Sequence, residues 1–134
     1  MGHETIARVS GDALIRRLDP RSQGEGIITA LNGLTARCFG KEVPLQETCE
    51  RFADATTLFL VEQAGTIVGY AFNDMLTLAG QRVNYWGSGF IAPEAQGKGL
   101  YDALNRERVR TIDADVIIQD AESSRGAGIQ EAMR

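Results

Sequence analysis

The sequence holds a single histidine, His3, one tryptophan and two cysteines, Cys38 and Cys49, among 134 residues. That scarcity excludes a zinc centre built by the protein, which needs three or four closely spaced His, Cys or carboxylate ligands. A disulfide stays open on sequence alone, but so few cysteines fit a reducing compartment. Basic residues are also in deficit, 14 Lys and Arg against 18 Asp and Glu, for a net charge of −4. No broad cationic face for nucleic acid can be drawn from that balance. Long apolar runs are missing too. The longest, Leu58-Phe59-Leu60-Val61, is far short of the roughly 20 residues that cross a bilayer. No basic start leads into an apolar stretch, so no secretory leader is expected. These absences point to a cytoplasmic protein with no metal, no nucleic-acid partner and no membrane partner.

What is present fits one α/β domain spanning residues 1–134. Hydrophobic residues make up 43% of the chain, enough for a core of that size. Pro20, Pro44 and Pro93 fall at boundaries. Ala13 to Leu18 reads as a first strand, turned by Asp19-Pro20. Ile27, Leu31, Leu34 and Cys38 then mark one stripe of a helix stopped by Gly40. Pro44 suits the first position of a second helix, with Leu45, Cys49 and Phe52 as its buried stripe. Both cysteines are thereby read as small core residues.

Thr57 to Glu62 and Thr66 to Phe72, joined by Ala64-Gly65, read as a hairpin. Ala79-Gly80 makes the next turn, and Arg82 to Ile91 a third long strand. Gly87 and Gly89 inside it mark either a bulge or a simple bend. A helix runs from Leu100 to Ile112, with Leu100, Ala103 and Leu104 inward and Arg106, Glu107, Arg108 and Arg110 as a solvated face. Val116-Ile117-Ile118 suits a short buried strand. A last helix begins near Ser123 or Ser124.

Two nucleotide motifs fail on context. Gly87-Ser-Gly89-Phe-Ile-Ala92 matches the dinucleotide pattern but lies inside a strand instead of opening a helix. Gly97-Lys98 is followed by Gly99 where a phosphate loop needs Ser or Thr. The segment from Phe90 to Leu100 is more informative, because a strand passes through a glycine-rich loop into a helix N-terminus. Backbone N–H groups there have no internal partners and meet an anion closely. The helix dipole makes the attraction local, whatever the net charge. An ordinary strand-to-helix turn is the plain alternative.

Gln96-Gly97-Lys98-Gly99-Leu100 resembles motif A of the GNAT superfamily, the acyl-CoA-dependent N-acyltransferases, whose signature is Gln/Arg-x-x-Gly-x-Gly/Ala. Tyr101 stands where the last small residue is usual. Leu58 to Ala71 resembles the family's second and third strands, and the element order agrees. The specific likeness covers Leu58 to about Ile118; Ala13 to Phe52 fits only in order. The resemblance implies a mixed, mainly antiparallel central sheet flanked by helices. It also implies acetyl-CoA as acyl donor and direct attack by an amine on the thioester.

By the same resemblance, Gln96, Gly97, Lys98, Gly99, Leu100 and Tyr101 surround the pyrophosphate, while backbone groups of Phe90 and Ile91 pair with the pantetheine arm. The strand ending at Ile91 and the one near Val116 splay apart to admit that arm. A backbone N–H of the former strand meets the developing oxyanion. Catalytic acid and base do not transfer: Arg82 to Ile91 contains no Asp or Glu. Tyr85 and Ser88 are the candidates on that strand, each also readable as structural; Glu42, Glu62 and Asp74 stay open. The family's usual two strands after the last helix are not found before Arg134, which leaves a shortened form or a homodimer that completes the sheet. The acceptor is a small-molecule or protein amine, with the negative charge favouring a cationic one. A CoA-binding module without catalysis and a plain α/β domain are the competing readings.

Overall fold

The computed structural model describes residues 5–8 and 12–119. In chain order its elements are β1 (Thr5–Arg8), β2 (Ala13–Leu18), α1 (Glu25–Phe39), α2 (Leu45–Asp54), β3 (Thr57–Gln63), β4 (Thr66–Leu78), β5 (Gln81–Ile91), α3 (Leu100–Arg110) and β6 (Val116–Gln119). Single 3-10 turns at Pro20–Ser22 and Pro93–Ala95 precede α1 and α3. The six strands form one sheet in the order β1-β2-β3-β4-β5-β6. All neighbours are antiparallel except β5 and β6, which run parallel. This is the mixed, mainly antiparallel sheet flanked by helices that the sequence implies. Among the described residues no helix is long and apolar enough to cross a membrane.

Local chemistry explains the centre of the sheet. Ala64–Gly65 (φ 52° and 82°) and Ala79–Gly80 (φ 52° and 78°) both take the left-handed backbone, which matches strand twist in two-residue hairpin turns. The strand β4 runs six residues beyond the expected Phe72, because the second hairpin continues in register from Asn73↔Trp86 to Leu78↔Gln81. At the other end of the chain, β1 pairs Thr5↔Arg17 through Arg8↔Leu14; its four residues carry no pattern that marked them as a strand.

The alternation of strand side chains divides the core in two. On one face Ile15, Phe59, Val61, Ala71 and Ile91 meet Leu100, Ala103 and Leu104 of α3. On the other, Leu58, Leu60, Tyr70 and Phe72 meet Leu31, Leu34 and Phe52 of α1 and α2. The first helix follows the expected stripe, with Leu31 and Leu34 buried and Cys38 half-buried.

Two expectations are corrected. In α2 the buried residues are Thr48 and Phe52, whereas Leu45 and Cys49 are exposed. The helix is rotated because Thr48 Oγ1 accepts from Asn32 Nδ2 of α1 at 3.0 Å and Phe52 stacks edge-on against Phe72 at 5.2 Å. In α3, Arg108 does not belong to the solvated face but is 1% exposed. Val109, one position on, takes the exposed place. The last helix expected from Ser123 or Ser124 lies outside the described residues.

Candidate active site

The turn at Pro93–Ala95 delivers the chain into the loop that opens α3. Gly97 (φ 80°) and Gly99 (φ 78°) both adopt the left-handed conformation, which costs an L-residue of ordinary type about 1–2 kcal/mol. A Cβ at either would meet nothing within 4 Å, so backbone conformation rather than crowding calls for glycine here. Gly99 is the N-cap of α3 and has no side chain to offer its first N–H groups. Beside this helix start lies a concavity of about 170 Å³ lined by Ile91, Gln96, Gly97, Gly99, Leu100, Tyr101 and the carboxylate-bearing Asp102. Gln96 closes the loop from within, Nε2 donating to Ile91 O at 3.0 Å. A broader hollow of about 660 Å³ continues along α3 over Trp86 and shares Asp102 with the concavity.

Beside this loop the sheet opens. The β6 strand pairs with β5 only from Val83↔Val116 to Trp86↔Gln119. From Gly87 to Ile91, β5 has no strand partner on that side among the described residues. Ala92 N–H donates to Val68 O at 2.7 Å, which sets the alternation: Phe90 and Tyr70 face each other as a hydrogen-bonded pair. The backbone groups of Gly89 and Ile91 consequently point away from β4, towards the opening. Phe90 is corrected on this ground, since its backbone is spent on β4. The Ile91 N–H faces the opening, while its carbonyl accepts from Gln96.

The glycines of β5 mark a bulge. Register shifts between Ala71 and Asn73, so that Phe72 stands opposite both Gly87 and Ser88. Each glycine clears room for a guanidinium: a Cβ at Gly87 would collide with Arg51 Nη2, and one at Gly89 would lie 2.9 Å from Arg108 Nη1. The two arginines approach from opposite faces of the sheet. Arg51 lies over the Phe72 ring at 5.3 Å, and Arg108 over Trp86 at 4.2 Å.

On the α1 and α2 side of the bulge lies a cavity of about 330 Å³. Its wall includes Ser88, Phe90, Tyr70 and Arg51, and α2 contributes Glu47, Glu50 and Asp54. Tyr70 OH is hydrogen-bonded to Thr35 Oγ1, and burial pushes its pKa up to about 12. Burial likewise raises the Cys38 thiol, whose Sγ lies 3.5 Å from Ile91 O.

The structure brings together most of the residues singled out in the sequence, but not all. Ile91, Gln96, Gly97, Gly99, Leu100 and Tyr101 line one concavity, with Lys98 exposed beside them. Ser88 reaches the cavity across the sheet, whereas Tyr85 faces Asp74 on β4 and is absent from the cavity wall. Asp74 is half-buried, burial raises its carboxyl pKa, and its Oδ1 has no hydrogen-bond partner. Glu62 is engaged by Arg16 at 2.6 Å, and Glu42 is exposed in the loop before α2. Sequence reasoning missed Arg51 and Arg108; the glycines at 87 and 89 were the signal, because a side-chain-free strand residue leaves space that something must fill.

Comparison with known proteins places this architecture. No protein-family model matches the sequence, and no curated protein matches it. Solved structures do. A GCN5-related glucosamine N-acetyltransferase region in a fungal multi-domain GH3 β-N-acetylglucosaminidase superposes with a TM-score of 0.74 at 13% identity, over 92% of this chain and 16% of that one. The ribosomal-protein-alanine N-acetyltransferase from Brucella melitensis biovar Abortus 2308 gives 0.63 at 17% identity, covering 92% and 91% of the two chains. AAC(6')-Iy, in complex with the bisubstrate analogue CoA-S-monomethyl-acetylneamine, gives 0.63 at 15% identity over 92% and 90%. The fold is that of the GNAT N-acetyltransferases.

Proposed function

We propose that this chain is a GNAT-superfamily N-acetyltransferase that moves an acetyl group from acetyl-CoA to a primary amine. The observation that carries the reading is the pairing of two features. An uncapped helix N-terminus with two left-handed glycines lies beside a strand whose outward backbone groups have no strand partner. The first suits a pyrophosphate, since unpaired N–H groups and the helix dipole both favour an anion. The second suits the amide-bearing pantetheine arm, which can pair with Gly89 and Ile91 as a strand would.

In this reading the donor lies on the α3 side and the acceptor enters the cavity on the α1 and α2 side. The amine nitrogen bonds to the thioester carbonyl carbon, the C–S bond breaks, and CoA leaves as the thiol with the proton that the amine gives up. Glu47, Glu50 and Asp54 against Arg51 leave the cavity wall net negative, which favours a cationic amine. Ser88, on that wall, is the hydroxyl placed for proton transfer or acceptor binding. Tyr85 and Asp74 face each other two pairs beyond the bulge, and Asp74 is the nearest carboxylate to it on β4. We read residues 1–134 as one such domain working in the cytoplasm.

Thermal unfolding with excess acetyl-CoA, beside ATP and NAD, tests the reading. Saturation at about a hundred times the dissociation constant adds roughly 2.7 kcal/mol, several degrees for a domain of this size. A shift selective for acetyl-CoA is expected, followed by amine-dependent thiol release. No selective shift overturns the reading. A shift without thiol release for any amine favours the CoA-binding module, which the lack of a carboxylate on β5 motivates.

A further inference from the structure

Where β4 and β5 change register, the sheet is braced by a charge that no carboxylate neutralises among the described residues. Arg108 Nη2 donates to Phe72 O and to Gly87 O, both at 3.1 Å. Nε donates to Asn73 Oδ1 at 2.8 Å, and Nη1 to Asn105 Oδ1 at 3.3 Å. Asn73 in turn donates through Nδ2 to Asn84 Oδ1 at 2.6 Å, and Asn84 Nδ2 donates to Arg108 O at 3.0 Å. One guanidinium thus ties α3 to both strands of the bulge. Burying an ion in this way is expensive, and an apolar residue would pack here without that penalty.

What the bulge decides is which backbone N–H groups face the opening. Before it, β5 is paired with β6 as far as Trp86. After it, Gly89 is the first residue whose N–H points away from β4, and Gly89 stands directly over Arg108. We propose that Arg108 is a positioning residue for acyl transfer: by bracing the Phe72 and Gly87 carbonyls it fixes the direction in which Gly89 N–H meets the thioester oxygen. The inference rests on the acetyltransferase reading above. Burial lowers the Arg108 pKa to about 10, so the group stays charged, with its full set of donors, at neutral pH. A preorganised donor aimed at developing negative charge is among the larger contributions to acyl-transfer catalysis.

The test reads the carbonyl itself. The 13C signal of [1-13C]acetyl-CoA is recorded free and bound to the wild type, Arg108→Lys and Gly89→Ala, each checked for cooperative unfolding. Arg108→Lys keeps the charge but, with one nitrogen in place of three, cannot hold the two carbonyls together with Asn73 Oδ1 and Asn105 Oδ1. Gly89→Ala keeps Arg108 and displaces its guanidinium, so it carries the test if Arg108→Lys does not fold. Bound to wild type, the signal should move downfield; both variants should lose at least half of that displacement, and Arg108→Lys should do so with acetyl-CoA affinity within about threefold, because it leaves both the N-terminal loop of α3 and the Gly89 backbone unsubstituted. Full displacement in the folded variants, or none in a wild-type complex that does bind, overturns the positioning role alone. No binding of acetyl-CoA to the wild type overturns the acetyltransferase reading, and this one with it.

Discussion

Asp74 shows how a single residue records a compromise. Its carboxyl is half-buried, its Oδ1 has no partner, and desolvation outweighs the attraction of Arg51 to raise its pKa. A folded-state pKa above the unfolded one means that the folded protein holds the proton more tightly. Below the ordinary carboxyl range both states are protonated and burial costs little. As pH rises through that range the unfolded chain releases its proton first, and the wild type loses stability until the raised folded value is passed. Asp74→Asn mimics the neutral acid. It should unfold at a higher temperature than wild type at pH 7, with the gap closing as the pH falls below the normal carboxyl range. Equal melting temperatures at pH 7 would show that solvent reaches the carboxylate freely. Neither this residue nor Arg108 could be placed from sequence, because each depends on what packs against it across the sheet. Arg108 sits among charged neighbours at helical positions 106, 107 and 110, and only the third dimension separates it from them.

At the scale of elements, the loop before α3 was legible and the face of α2 was not. Glycine at 97 and 99 announces a backbone geometry, and geometry of that kind is local. The stripe of α2 depends on Thr48 finding Asn32 and Phe52 finding Phe72, neither of which is local. The loop also gives the sharpest element-level prediction. Gly99→Ala pays only the left-handed strain, about 1–2 kcal/mol of stability. Gly99→Asp adds a negative side chain at the mouth of the concavity. Acetyl-CoA binding measured by calorimetry should therefore weaken by roughly tenfold or more in Gly99→Asp relative to Gly99→Ala. Equal affinity in the two variants would place the pyrophosphate elsewhere. The bulge in β5 belongs to the same class of readable feature, since glycine in a strand interior demands a reason. The residues that supplied the reason, Arg51 and Arg108, come from helices 36 and 19 or more positions away in sequence, beyond the reach of any local pattern.

For the whole molecule, the hairpins from Thr57 to Ile91 and the order of helices were readable because turn chemistry and strand alternation repeat within a few residues. The partner of β6 was not. In the described residues it is the last strand of the sheet and four residues long. A strand at a sheet edge invites association, and we propose that the chain works as a homodimer. Light scattering at working concentration should give a mass near twice 14.6 kDa; a monomer mass would remove the proposal.

The helix α3 joins the two ends of this arrangement. Its N-terminus lines the concavity before it, and eight residues later Arg108 grips the bulge, about 12 Å further along the axis at 1.5 Å per residue. A helix of that length does not stretch. In the proposed reaction the distance between the two ends is therefore a fixed gauge, set against the span between a donor's phosphates and its thioester. A donor cut short between those groups would seat one end and leave the other hanging short of the strand.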